Sequence, residues 1–426
     1  MKNQRDLSFG WVIVGFSFIT LALVYGVWYS FSVFFVALLK EFGWSRSIGA
    51  GAFSFFIIVS SLTSPFVGGM VYSIGPRRVI LLGSLLLGAG LALSSLIHTW
   101  WQFYLSFSVI TALGLGAAGW VTQITIIQQW FKEKRGLAVG ILSSGIGVGI
   151  LVFVPAIQYL INRVGWRMTY RMMAISIPLI VVSLGIPFLK RPPPTTTSSL
   201  IEIGTSGARV KDPLVVNEEW ALRSWTVQSA TATKQFWILA VSFFLANLMS
   251  QSIFTHQVAF FVDQGLEPLF ASYIVGLVGI VSLGSKILWA VLSDKRGREI
   301  IYMIGMIWFM FGIITLILFT TSRSPGLPYF YSLFFGLGYA VTAALPPLIV
   351  ADFFEGQGYG GIFGALNIFV GIGGAFGAWF AGFLYDQAGS YLPVFVIVMV
   401  CAFFSCLGIW WAAPRKIRMV PGKSLR

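Results

Sequence analysis

Lys286 stands between two uncharged, largely apolar runs, YIVGLVGIVSLGS (273–285) and ILWAVLS (287–293). An ammonium at the centre of a membrane helix costs about 2.5–3.5 kcal/mol on insertion scales, so something must compensate it. At about 1.5 Å of rise per residue, Lys286 lies roughly 12 Å inside Asp294 on the same helix. That is too deep for the side chain to reach headgroups comfortably. None of the 14 acidic residues falls at mid-depth in any apolar run. An anion arriving from outside the protein is therefore the natural partner. A lysine paired within the fold is the competing reading.

His256 and Asp263 form the second candidate. Seven residues apart, they share one helical face, at the end of the run 235–262. Histidine changes charge near neutral pH, so the pair could bind and release protons. The bland alternative is a solvent-facing pair at a membrane edge. Uncharged polar and aromatic residues in other apolar runs complete a candidate cavity: Tyr25, Trp28, Tyr29, Trp120, Gln123, Asn247, Gln251, Tyr339 and Asn367. Each could equally be helix–helix packing or interhelical hydrogen bonding.

Other chemistries find no support. GIVSLGSK (279–286) misses the phosphate-loop spacing by one residue, lacks the following Ser or Thr, and lies inside an apolar helix. Cys401 and Cys406, five apart on one helix, point in different directions and suit neither a disulfide nor a metal. No metal cluster, nucleophile–base pair or cofactor motif is visible, which argues against an enzyme. Without a nucleotide site, any transport must run on an ion or substrate gradient.

The elements that hold these residues follow from composition. Of 426 residues, 57% are hydrophobic and 10% charged, with a mean hydropathy of +0.86; a soluble protein of this length carries far more charge. The apolar runs are too continuous for barrel strands, which alternate in polarity. Twelve runs can cross roughly 30 Å of hydrocarbon: 11–38, 48–73, 78–97, 101–129, 136–161, 168–189, 235–262, 269–293, 300–320, 328–351, 360–384 and 392–412. The first is too long for a signal-peptide core and lacks a small-residue cleavage site, so it is expected to stay as a span.

The net charge of +14 does not call for nucleic acid. With both termini cytoplasmic, 21 of the 28 Lys and Arg fall in cytoplasmic segments and 6 on the opposite side, Lys286 being the remaining one. That is the positive-inside asymmetry of a multi-pass plasma-membrane or inner-membrane protein, with anionic lipid as its natural counterpart.

Residues 191–234, rich in Pro, Ser and Thr, separate a six-span bundle (1–190) from a second (235–426) that ends in a basic tail. The halves echo each other. Gly75 in GGMVYSIGPRRVI (68–80) and Gly297 in AVLSDKRGREI (290–300) both follow an even-numbered span, 222 residues apart. Trp130 in QWFKEKRGLAVG and Phe353 in DFFEGQGYGGIFG both precede Gly-studded runs, 223 residues apart. Parallel repeats across the membrane normal are the plan of rocking transporters with a site at the interface.

AVLSDKRGRE resembles the major facilitator superfamily motif G-x-x-x-D-[RK]-x-G-[RK]-[RK]. Asp294, Lys295, Gly297 and Arg298 are in place; Ala290 and Glu299 depart from it. The first-half copy keeps Gly68, Gly75 and Arg77 but has Tyr72 and Ser73 where an acid and a base are expected, which puts the first-half gate in doubt. Within the superfamily, YGVWYSFSVFFVALLKEFGWSRS (25–47), WFKEKRGLAVGILSSGIGVG (130–149), GWR (165–167), QFW (235–237) and HQVAFFVDQG (256–265) resemble bacterial monocarboxylate porters and the oxalate/formate antiporter group.

The resemblance implies an all-α fold of twelve transmembrane helices in two six-helix repeats. It implies a secondary transporter of a small monocarboxylate or similar organic anion, coupled to protons, working as a monomer without cofactor. Lys286, eight residues before Asp294, resembles the place of a substrate-binding Arg, with the charge kept and the planar fork lost. His256 and Asp263 resemble proton-coupling residues. Asn367 resembles the place of a second cation, whose loss points to one carboxylate rather than two. The rival expectations are an exporter of hydrophobic or cationic compounds, an anion exchanger without proton coupling, and a receptor signalling through 191–234.

Overall fold

The computed structural model describes residues 2–131, 135–189, 215–355 and 358–419. These are helical almost throughout. Their single β-bridge pairs Val215 with Arg418. Helices α1 (Lys2–Phe42), α2 (Arg46–Ile74) and α3 (Pro76–Ser94) are the first three crossings. The fourth is broken into α4 (Trp100–Phe103), a π-helical stretch (Tyr104–Thr111), α5 (Ala112–Ala118) and α6 (Trp120–Trp130). Then comes α7 (Arg135–Phe188), and, after two short helices, α8 (Glu218–Leu222) and α9 (Val227–Thr231), the last six crossings. These are α10 (Lys234–Asp263), α11 (Pro268–Arg296), α12 (Arg298–Ser322), α13 (Leu327–Phe353), α14 (Tyr359–Ala388) and α15 (Leu392–Ala412).

Among the described residues, eleven helical segments are long and apolar enough to cross a membrane, and one of them, Ala138–Phe188, has 51 residues. At about 1.5 Å per residue that is more than twice the hydrocarbon thickness. Gly165 divides it with φ 79°, ψ 161°, a backbone that residues with a Cβ rarely adopt. Twelve crossings result, as the sequence predicts. An even number places the start of α1 and the end of α15 on one face, the terminal face; the other is the far face. Large apolar side chains such as Ile175, Leu179 and Trp411 remain exposed, as a lipid-facing surface requires.

The fourth crossing departs from the continuous run expected over 101–129. At Gly119 the backbone turns extended (φ −83°, ψ −152°), and nearby carbonyls lose helical donors. Thr122 Oγ1 donates to Ala117 O at 2.6 Å and Gln123 Nε2 to Ala118 O at 3.0 Å. Polar side chains beside a break satisfy the carbonyls it frees, so the apolar pattern runs through the break without signalling it.

Two turn glycines occupy equivalent places in the halves. Gly75 (φ 87°) joins α2 to α3 and Gly297 (φ 110°) joins α11 to α12. After Gly297, Arg298 reaches Asp294 Oδ1 (2.5 Å), Ser293 Oγ (2.6 Å) and Asp352 Oδ2 on α13 (3.0 Å). This second-half motif thus locks α11, α12 and α13 together, while Lys295 and Arg77 are exposed. The side chain of Tyr72, residues 132–134 of the WFKEKRG motif, and residues 190–214 and 420–426 lie outside the described residues. The described end of the 191–234 segment docks on the second half. Trp220 Nε1 donates to Phe353 O at 2.7 Å, and Trp225 packs edge-on against Phe354.

Across the centre, α1 faces α10, α2 faces α14 and α7 faces α11. Backbones approach closely there. A Cβ on Gly279 would meet Ile150 at 2.9 Å, and one on Gly147 would meet Leu283 at 3.1 Å. Two turns nearer the terminal face on the same stripes, the contact ends: Gly140 on α7 and Gly364 on α14 have nothing within 4 Å among the described residues, whereas Gly371 abuts Ser61. The halves close at the far face and diverge toward the terminal face.

Candidate functional site

Lys286 lies on α11 beside the interface, half-buried. Its Nζ is 5.5 Å from the centroid of the Tyr339 ring of α13, within cation–π range. No carboxylate among the described residues forms an ion pair with it. The Tyr339 hydroxyl meets the Tyr29 hydroxyl of α1 at 2.7 Å. Phe254 of α10 packs edge-on against both rings. Tyr25 and Trp28 extend the wall on α1, with ring centroids 6.0 Å apart, and Trp28 rests on Phe53 and Phe56. The structure therefore gathers Lys286, Tyr339, Tyr29, Tyr25 and Trp28 into one aromatic-lined cluster that draws on both halves.

Gln251 joins this cluster from α10. It lines a small, water-sized cavity with Trp28, Tyr29, Phe254 and Thr255, and its buried Oε1 has no hydrogen-bond partner among the described residues. Asn247, a turn below, is engaged elsewhere: its Nδ2 donates to Val370 O of α14 at 2.6 Å. Gln123 serves the Gly119 break and is fully buried, its Oε1 without a hydrogen-bond partner among the described residues. Trp120 is half-buried at the start of α6. Asn367 is exposed. It shares the face of α14 that carries Gly371 and Gly374, at a depth where the halves have separated. No hydrogen bond, ion pair or ring contact among the described residues links Trp120, Gln123 or Asn367 to Lys286.

His256 is not the solvent-facing edge residue of the bland reading: it is 2% exposed. Its Nε2 faces Ala378 O of α14 at 2.9 Å and its Nδ1 the Tyr391 hydroxyl at 3.0 Å, while Phe35 of α1 packs edge-on. A carbonyl can only accept, so Nε2 carries the proton it donates. Asp263, two turns on, does not touch His256 directly. Its Oδ2 accepts from Arg46 Nη2 at 2.6 Å, and Arg46 Nη1 donates to the Tyr391 hydroxyl. The His–Asp relationship of the sequence is thus a bridged one, through Tyr391 and Arg46.

Tyr391 and Asp386 lie in no motif, and Arg46, although inside the 25–47 stretch, is not singled out by the sequence reading. Asp386 Oδ1 and Oδ2 accept from the backbone N–H groups of Arg46 and Ser47 at 2.9 and 2.8 Å. The only signal in the sequence is unlike charges in two loops on the same side, a signal that many loops share.

Residues 17–295 and 263–424 match the Major Facilitator Superfamily. The chain is 25% identical to monocarboxylate transporter 13 of Rattus norvegicus over 97% of its own length and 94% of the relative's. It is 24% identical to the oxalate:formate antiporter of Oxalobacter formigenes, covering 90% of this chain and 89% of that one. Among solved structures it resembles a bacterial homolog of the human lysosomal transporter Spinster, inward-facing and unoccupied. The TM-score is 0.67 at 14% identity, over 96% of this chain and 99% of that one. The twelve crossings, the paired turn glycines and the interfacial cluster agree with these matches: the chain is a membrane transporter and belongs to the major facilitator superfamily.

Proposed function

We propose that the chain is a secondary active transporter of a small monocarboxylate or similar organic anion, driven by protons through rocking of its two six-helix halves (1–190 and 235–426). The observation that carries the reading is Lys286: a cation in the interfacial cluster, facing aromatic rings and phenols, with no carboxylate among the described residues paired with it. A bound carboxylate supplies the missing counter-charge and accepts from Tyr29 or Tyr339. Tyr25, Trp28 and Gln251 form the surrounding wall. One deep cation suits one carboxylate. The names of the relatives, a monocarboxylate transporter and an oxalate:formate antiporter, agree with an anionic substrate.

The charge asymmetry of the loops supports a cytoplasmic terminal face, and with that orientation the divergence of the halves there is the inward-facing state. Asp263 and His256 bind the driving proton near the outer face, and Asp294, Lys295, Gly297 and Arg298, with Gly75 and Arg77, gate the inner one. Proteoliposomes holding the purified protein test the reading. Radiolabelled short-chain monocarboxylates should accumulate under an acid-outside gradient, and a protonophore should abolish this. Accumulation of lipophilic cations with no carboxylate uptake would contradict it and favour the exporter.

A further inference from the structure

We infer that Arg46 and Asp386 form the latch of the outer gate, and that Arg46 and a proton compete for the Asp263 carboxylate. The inference rests on the proposed role of Asp263 and adds the residues through which it acts. Among the described residues, every hydrogen bond that joins the halves at the far face starts from the first turn of α2 and ends on the second half. Two use the α2 backbone: Arg46 N and Ser47 N donate to the two oxygens of Asp386. The helix's own cap, Ser45, accepts from Ile48 N, leaving the first two N–H groups without an intrahelical partner. Asp386 supplies that partner from the end of α14, placing a negative charge at the positive end of the α2 dipole. The others use the guanidinium, which donates to Asp263 and to the Tyr391 hydroxyl and stacks 3.8 Å above the Tyr385 ring. Rocking the far face open must break all of these together.

Asp263 is where this latch meets water. Its side chain is 31% exposed, that of Arg46 only 13%. The charged and titratable groups turned toward this carboxylate are Arg46 from α2, Tyr385 and Asp386 from the end of α14, and Tyr391 ahead of α15. On α10 itself, His256 holds the other side of Tyr391. A protonated carboxyl presents no charge to the guanidinium, and a charge-assisted bond is about twice as strong as a neutral one. The latch therefore closes on ionised Asp263 and loosens when that carboxylate carries a proton.

Spin labels on the far-face loops of the two halves, at Leu96→Cys and Ser324→Cys in a chain with Cys401 and Cys406 replaced by serine, test this without substrate. Double electron–electron resonance should show mainly the short, closed distance for the unmodified latch in mildly alkaline buffer. Arg46→Gln, Asp386→Ala and Asp263→Asn should each raise the ratio of open to closed populations by roughly tenfold, equivalent to about 1.4 kcal/mol. Stepwise acidification, carried down until the unmodified latch opens, should change Asp263→Asn little. Size-exclusion profiles establish which variants fold, and Arg46→Lys, keeping the charge without the fork, should lie between. Unchanged distances in the folded latch variants, or a full acid response in Asp263→Asn, would overturn the inference. Either result would leave the anion site at Lys286 untouched.

Discussion

Tyr29 of α1 and Tyr339 of α13 meet hydroxyl to hydroxyl at 2.7 Å, joining the two halves directly beside the Lys286 ammonium. A bound carboxylate would share this pair, so each phenol contributes to the site in a measurable way. Tyr29→Phe and Tyr339→Phe each remove one neutral hydrogen bond, about 1 kcal/mol, and should weaken anion binding about fivefold. Tyr339→Leu also removes the ring over the ammonium and should weaken it further. Thermal-shift titrations with a transported anion check this, and Leu behaving no worse than Phe would count against it.

The Arg298 cluster should matter for stability rather than affinity. Arg298 is 9% exposed at its side chain and Asp352 14%, and breaking a buried pair by deleting one partner typically costs about 3–5 kcal/mol. Arg298→Ala should therefore lower the thermal midpoint in detergent by several degrees or more, with anion affinity unchanged in the folded fraction. Arg298→Lys should recover only part, since a single ammonium cannot hold Asp294, Ser293 and Asp352 at once.

Coupling is checked by comparing accumulation with exchange. Asp263→Asn or His256→Gln should abolish gradient-driven accumulation while leaving counterflow of anion across the membrane. His256 is held between Tyr391 and Ala378 O and Asp263 by Arg46, so both changes alter the same bridged network. Both variants accumulating substrate with an unaltered pH profile would place coupling elsewhere.

Orientation follows from the 21-to-6 split of Lys and Arg. Single reporter fusions after residues 45, 98, 323 and 388 should report the outer side, and those after 210 and 420 the cytoplasm. An external signal at 210 would contradict the assignment of the terminal face.

The crossings were legible because apolar length alone specifies a span, and Gly165 between two runs already marks the break in α7. Lys286 was legible because an isolated charge has no structural reason to be there. The break at Gly119 was not, since Thr122 and Gln123 repair it with side chains that an apolar count ignores. Nor was the far-face cluster. Arg46 and Asp386 are 340 residues apart, and their meeting depends on how α2 packs against α14. Periodicity within one helix carries no record of that. His256 and Asp263 were correctly placed on one side of α10, yet what links them, Tyr391 and Arg46, comes from other helices.

Lys286→Gln, with binding and melting measured on the same purified protein, tests the central claim most directly. If Lys286 is the counter-charge of the transported anion, losing the charge-assisted pair costs a few kcal/mol and should weaken anion binding roughly 30-fold or more. The fold should be retained or slightly stabilised, because a desolvated charge has been removed, and Lys286→Arg should keep affinity for planar carboxylates. Unaltered anion affinity in Lys286→Gln, with a lower melting temperature, would show instead a lysine that serves only the fold.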